Sequence, residues 1–159
     1  RLTEITDAAI TLEMSTRLSR NCCVAFVNVG APSILYELLG TCNRSLPHVE
    51  IVRIVLLTLR NVSKHKDLLN DVATPGSGGV ILDLVQMFRD KDDVFVVALI
   101  IFSRLLRYNK KLKETCSQPE NMKRLTHVLK KVAPSGSDLR IPGSRHGTSK
   151  RKKKYKSTS

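Results

Sequence analysis

The chain has 159 residues, 27 Lys and Arg against 14 Asp and Glu, a formal net charge of +13 and no Trp. Its 42% hydrophobic content excludes wholesale disorder, and the length suits one domain with a real core. The longest unbroken apolar run, Val94 to Phe102, is nine residues, whereas a membrane-crossing helix needs about 20.

The first segment, residues 5–20, places Ile5, Ala8, Ala9, Leu12 and Leu18 at helix spacing. No initiator Met precedes it and no signal peptide is visible, so the chain reads as part of a longer protein. Cys22 to Ala31 predicts a short helix, and Pro32 to Leu39 a second, apolar one. Gly30 stands between them, where a left-handed or closely packed backbone is needed. After a loop from Thr41 to Pro47, Pro47 suits a first helical turn and Glu50 its positive end.

Val49 to Val62 is almost wholly apolar, broken by Arg53, Thr58, Arg60 and Asn61. A helix apolar on most sides is buried between others. A glycine-rich loop from Ala73 to Gly79 leads to Ile81–Val85, and a loop from Arg89 to Asp93 leads to Val94–Leu106. Both long apolar segments contain many β-branched residues. Each runs about 14 residues without a turn signal, which favours helix over strand. A last loop, Ser117 to Asn121, precedes Leu125–Leu129, and the folded part is expected to end near Val132.

These segments repeat. Leu18, Val62 and Leu106 stand 44 residues apart, as do Leu12, Leu56 and Ile100, and Ala8, Val52 and Val96. A second register links Leu35–Leu39, Ile81–Val85 and Leu125–Leu129 at intervals of 46 and 44. Each unit reads as a long helix, a short linking helix and another helix. A period in the forties matches the armadillo/HEAT class, in which one unit cannot cover its own apolar face and stacking supplies the core. The expected fold is all-α, a helical solenoid of about three repeats over 1–133, with a disordered basic tail over 134–159.

Signals for catalysis are poor. Thr74-Pro-Gly-Ser-Gly-Gly79 is glycine-rich like a phosphate loop, but it lacks the Lys-Ser/Thr and the preceding strand of a P-loop. Four Cys (22, 23, 42, 116) and four His (48, 65, 127, 146) make no zinc-ligand spacing. The sequence predicts no enzyme, no metal and no cofactor, and buried thiols are the expectation for the cysteines.

The tail is the strong electrostatic feature. From Pro134 to Ser159 it holds eight basic residues and one acid, with few large apolar side chains, too little to offset the entropy of ordering. Lys150, Arg151, Lys152, Lys153, Lys154 and Lys156 form a run that suits nuclear import, a tether to an acidic polymer, or a solvated tail. No base-reading motif accompanies the run, and Tyr155 is its single aromatic residue, which argues against sequence-specific nucleic-acid binding. In the folded part Arg17, Arg20, Arg44, Arg53, Arg60 and Lys64 give the first half a basic bias. Arg53, Arg60 and Asn61 are the candidate partner-groove residues, on a surface expected to be lined by helices 49–63 and 94–107. The bland alternative is a solvated face.

The stretch from Thr16 to Lys64, most specifically Cys42-Asn-Arg-Ser-Leu-Pro-His-Val-Glu-Ile-Val-Arg53 and Leu59-Arg-Asn-Val-Ser-Lys64, resembles the C-terminal armadillo-like region of the abnormal spindle family. The resemblance implies a large cytoskeletal protein with calponin-homology domains and calmodulin-binding IQ motifs, working on microtubules at mitotic spindle poles. None of that flanking sequence is in these residues, and there is no Ile-Gln pair; calmodulin contacts are expected elsewhere in such a protein. The armadillo likeness also implies a groove-facing role for Asn61, although the corresponding positions, Arg17 and Leu105, do not continue an Asn ladder. The implied partners are proteins, microtubules or spindle-pole components, with no membrane; the implied location is the cytoskeleton and spindle pole, with the nucleus as the import reading of the tail. A generic armadillo scaffold in a nuclear or signalling complex is the alternative.

Overall fold

Ser19 sets the first corner. Its extended backbone ends α1 (Leu2–Leu18), and its hydroxyl accepts from the Cys22 N–H at 3.3 Å to cap α2 (Arg20–Asn28). Gly30, at φ 74°, then turns the chain into α3 (Ala31–Thr41), which carries Pro in its first turn. The second set begins with α4 (Leu46–Ser63), again with Pro in the first turn. A 3-10 turn over Lys66–Leu68 and the short α5 (Leu69–Val72) link it to α6 (Ser77–Met87). The third set is α7 (Asp92–Tyr108), α8 (Lys110–Ser117) and α9 (Pro119–Val132). Asn109 there repeats the Ser19 device: extended backbone ends α7, and the side chain accepts from the Leu112 N–H at 2.9 Å. This computed structural model describes residues 1–132. The basic tail over 134–159, with Lys150 to Lys156, lies outside them.

The long helices α1, α4 and α7 pack side by side, and α3, α6 and α9 form a second row behind them. All the described secondary structure is helical. The core lies between the two rows, built from fully buried Leu39, Leu56, Leu59, Ile81, Phe88, Ile101 and Leu105. α4 is the centre: α1 and α7 flank it, so Ile51, Val52, Val55, Leu56, Leu59 and Val62 are all buried. Each such side chain contributes about 1.5–3 kcal/mol of burial.

The breaks between helices fall within the four expected loops, but α4, α6, α7 and α9 each begin two or three residues inside them, and the register differs by one residue. Ala9, Val52 and Phe95 are buried, as are Thr16, Leu59 and Phe102, and both sets step by 43 residues, not 44. One residue turns a helix by about 100°. The expected stripe on α1 is therefore misplaced. Leu12 is 36% and Leu18 73% exposed, Ala8 is exposed, and the seam with α4 runs through Ile5, Ala9 and Thr16.

Candidate interaction surface

The 43-residue step lays the open face of the long helices out in rows. Beyond the first turn of α4 the less buried positions are Glu50, Arg53, Leu57 and Arg60, followed by Lys64 at its C-cap, spaced three and four apart. That spacing keeps them on one face. Asp7, Glu50 and Asp93 form an acidic row, all exposed. Next, Ile10 and Val96, 41% and 49% exposed, stand in one row with half-buried Arg53 between them, and exposed Met14 with half-buried Leu57 and Ile100 continues the apolar band. Beyond the band lie Arg17, Arg60, Lys64 and Arg107, with Arg104 beside them.

Charge is not equally available along this face. Arg53 is engaged: its Nε donates to Asp93 Oδ2 at 2.6 Å and its Nη1 to Glu50. The guanidinium holds the Asp93 carboxyl below the usual carboxylate range. Arg17 bonds Glu13 one turn away, at 3.1 Å. Arg60, Lys64, Arg104 and Arg107 make no ion pair among the described residues. Arg104 Nη1 donates instead to the Arg60 carbonyl at 3.1 Å and to Ser63 Oγ at 3.0 Å. Burial and the neighbouring Arg60 charge both lower its pKa. These cations crowd the C-terminal ends of α4 and α7, where the helix dipole is negative and holds them favourably. Two shallow cavities open there. One, about 160 Å³, is lined by Arg17, Arg20, Lys64 and His65; the other, about 210 Å³, by Lys64, Lys66, Arg104 and Arg107.

The structure thus separates the three groove candidates. Arg53 is tied to two carboxylates. Arg60 is half-buried, with its Nε unpartnered among the described residues. Asn61 is 2% exposed, and its amide Nδ2 donates to Thr16 Oγ1 at 3.3 Å and to the Glu13 carbonyl at 3.2 Å. It fastens α4 to α1. Sequence reasoning missed Arg104 and Arg107. A 43-residue interval would have found Arg107, which stands that far beyond Lys64.

Cys23, Cys42, Cys116 and Tyr36 belong to the buried core. Cys23 is fully buried, donates to the Thr16 carbonyl at 3.1 Å and has its pKa pushed up by burial. Burial raises the Cys42 and Cys116 thiols and the Tyr36 phenol in the same way. Among the described residues no three His, Cys, Asp or Glu side chains gather at one point.

No family model and no solved structure matches this sequence. Curated relatives do. Abnormal spindle-like microcephaly-associated protein homolog of Canis lupus familiaris is 37% identical over 91 residues, 57% of this chain and 3% of the relative. Abnormal spindle-like microcephaly-associated protein of Homo sapiens is 28% identical over 142 residues, 83% of this chain and 4% of the relative. The Felis catus homolog is 29% identical over the same length. The chain therefore spans about 3–4% of the length of the relatives it matches. Over 57–83% of its length the chain is thus similar to proteins named abnormal spindle-like microcephaly-associated protein.

Proposed function

We propose that this chain is a non-catalytic, armadillo-type interaction module of a microtubule-associated spindle-pole protein. The observation that carries the reading is the open face of α1, α4 and α7. An apolar band crosses all three helices, and Arg60, Lys64, Arg104 and Arg107 flank it without carboxylate partners among the described residues. An acidic segment with an apolar side suits such a surface, because exposed apolar area and unneutralised charge both gain on docking. The relatives' name supplies the spindle. Arg60 remains the groove residue in this reading, with Arg53 at its acidic margin and Asn61 supporting it from the seam.

The basic run Lys150–Lys156 adds an attraction to acidic polymer surfaces such as microtubules. That attraction is long-ranged at low salt and screened within about 8 Å at physiological ionic strength. Microtubule co-sedimentation of residues 1–159 beside 1–133, at low and physiological salt, tests both parts. The expected result is that both forms pellet at low salt and the longer one more strongly. Charge reversal at Arg60, Lys64 and Arg107 should release the shorter form. If neither form pellets, the microtubule contact is not made by this chain.

A further inference from the structure

The glycine-rich loop finds, in the fold, the lysines it lacks in sequence. Gly76, at φ 82°, turns the chain into α6, and no side chain caps that helix. The Ser77 N–H donates to the Thr74 carbonyl and the Val80 N–H to that of Gly76, leaving the N–H groups of Gly78 and Gly79 without a partner among the described residues. α8 starts at the same place. Gly78 lets it approach: a Cβ there would collide with Leu112 Cδ1. The first turns of α6 and α8 consequently line one cavity of about 600 Å³, with Lys110 and Lys111 on its wall. Both lysines are exposed and make no ion pair among the described residues. Ser77 is also a wall residue. It is 1% exposed, and its Oγ has no hydrogen-bond partner among the described residues.

We propose that this cavity is a phosphoryl-binding site, in which the Gly78 and Gly79 N–H groups, the Ser77 hydroxyl, Lys110 and Lys111 hold one phosphate group. Two helix N-termini supply positive potential and unpaired N–H donors. The lysines supply the charge. The hydroxyl, costly to bury unpaired, gains an acceptor when the anion arrives. The volume exceeds a bare phosphate, so the group is carried by a larger molecule, and a phosphorylated side chain of a partner protein fits that description. The site uses neither the three-helix face nor the basic tail, and it stands whether or not microtubules bind.

The experiment is an amide-shift titration of the full 159-residue chain with inorganic phosphate, at ionic strength held constant with chloride. Saturable shifts at Gly78 and Gly79 are expected, weakened about tenfold or more by Lys110→Gln with Lys111→Gln and unchanged by Lys152→Gln with Lys153→Gln. Ser77→Ala should weaken binding about threefold without lowering the melting temperature, an outcome that a purely structural serine would not give. A second titration with N-acetyl-phosphoserine methylamide separates the sources. Tighter binding than phosphate assigns a phosphorylated protein, and equal or weaker binding assigns a small anion. Shifts that never saturate, or that persist in the double lysine variant, overturn the site.

Discussion

Asn61 on α4 donates its side-chain amide to Thr16 Oγ1 on α1 across 3.3 Å, and both residues are buried. The same amide nitrogen reaches the Glu13 carbonyl at 3.2 Å, while Thr16 Oγ1 donates to the Leu12 carbonyl at 2.8 Å. This small polar chain sits in a mostly apolar seam; Asn61 Oδ1 is buried without a partner among the described residues, so the amide is held through its Nδ2 alone. Asn61→Ala should therefore cost about 1–3 kcal/mol, measured by urea unfolding. Combined with Thr16→Val the loss should be less than additive, because the two changes remove one interaction. A loss below about 0.5 kcal/mol would return Asn61 to a surface role.

Leu56 and Leu12 separate the two registers. They are 44 residues apart and would be equivalent on the sequence period, yet Leu56 is 0% and Leu12 36% exposed. Leu56→Ala should cost about 2–5 kcal/mol through lost burial and the cavity it leaves. Leu12→Ala should stay within about 0.5 kcal/mol, as surface changes usually do. Similar losses at both positions would mean that α1 packs through the Leu12 face.

The helices were legible because their punctuation is strong. Gly30 takes the positive φ expected of it, Pro47 lies in the first turn of α4, and the expected 73–79 loop holds the break before α6, which begins inside it at Ser77. The register was not legible, because α4 is apolar nearly all round and accepts an interval of 43 or 44 equally well. The basic character of the surface was also readable from composition. Which cations keep their charge available was not, since pairing depends on seams between the sets. Arg20 meets Asp67, Arg44 meets Asp90 and Arg53 meets Asp93, partners 47, 46 and 40 residues away. Only packing decides that these three arginines meet carboxylates while, among the described residues, Arg60, Arg104 and Arg107 do not.

Those three pairs give stability a pH dependence. Hydrogen bonds from the arginines hold the Asp67, Asp90 and Asp93 carboxyls below their ordinary range. A depressed folded pKa means that the contribution is present above the unfolded value of about 3.9 and is lost as pH falls through the lower folded value. The pairs are solvent-exposed, so the effect is small and screened by salt. In a series of melts from pH 7 to 2, the parent chain should begin to lose this stabilisation near pH 4. Asp67→Asn with Asp90→Asn and Asp93→Asn should melt lower at pH 7, then converge on the parent in acid. A constant gap across the series would assign the loss to packing rather than charge.

The cysteines report how the helix sets open. Cys23, Cys42 and Cys116 are buried, and burial raises the pKa of each; Cys22 is half-buried. Thiolate is the reactive form, so burial slows these three both by access and by ionisation. With an aromatic disulfide reagent at pH 8, Cys22 should react in a fast phase, and the other three only through local opening. Among them Cys116 should lead. It lies on α8, where Leu112 and Cys116 are the buried residues, and is 9% exposed, whereas Cys23 on α2 is 0% exposed and Cys42 ends the more densely buried α3. Regions with fewer buried apolar contacts open at lower free energy. Cys116 reacting at the rate of global unfolding would show instead that the third set opens only with the rest, and that the three sets form one cooperative unit.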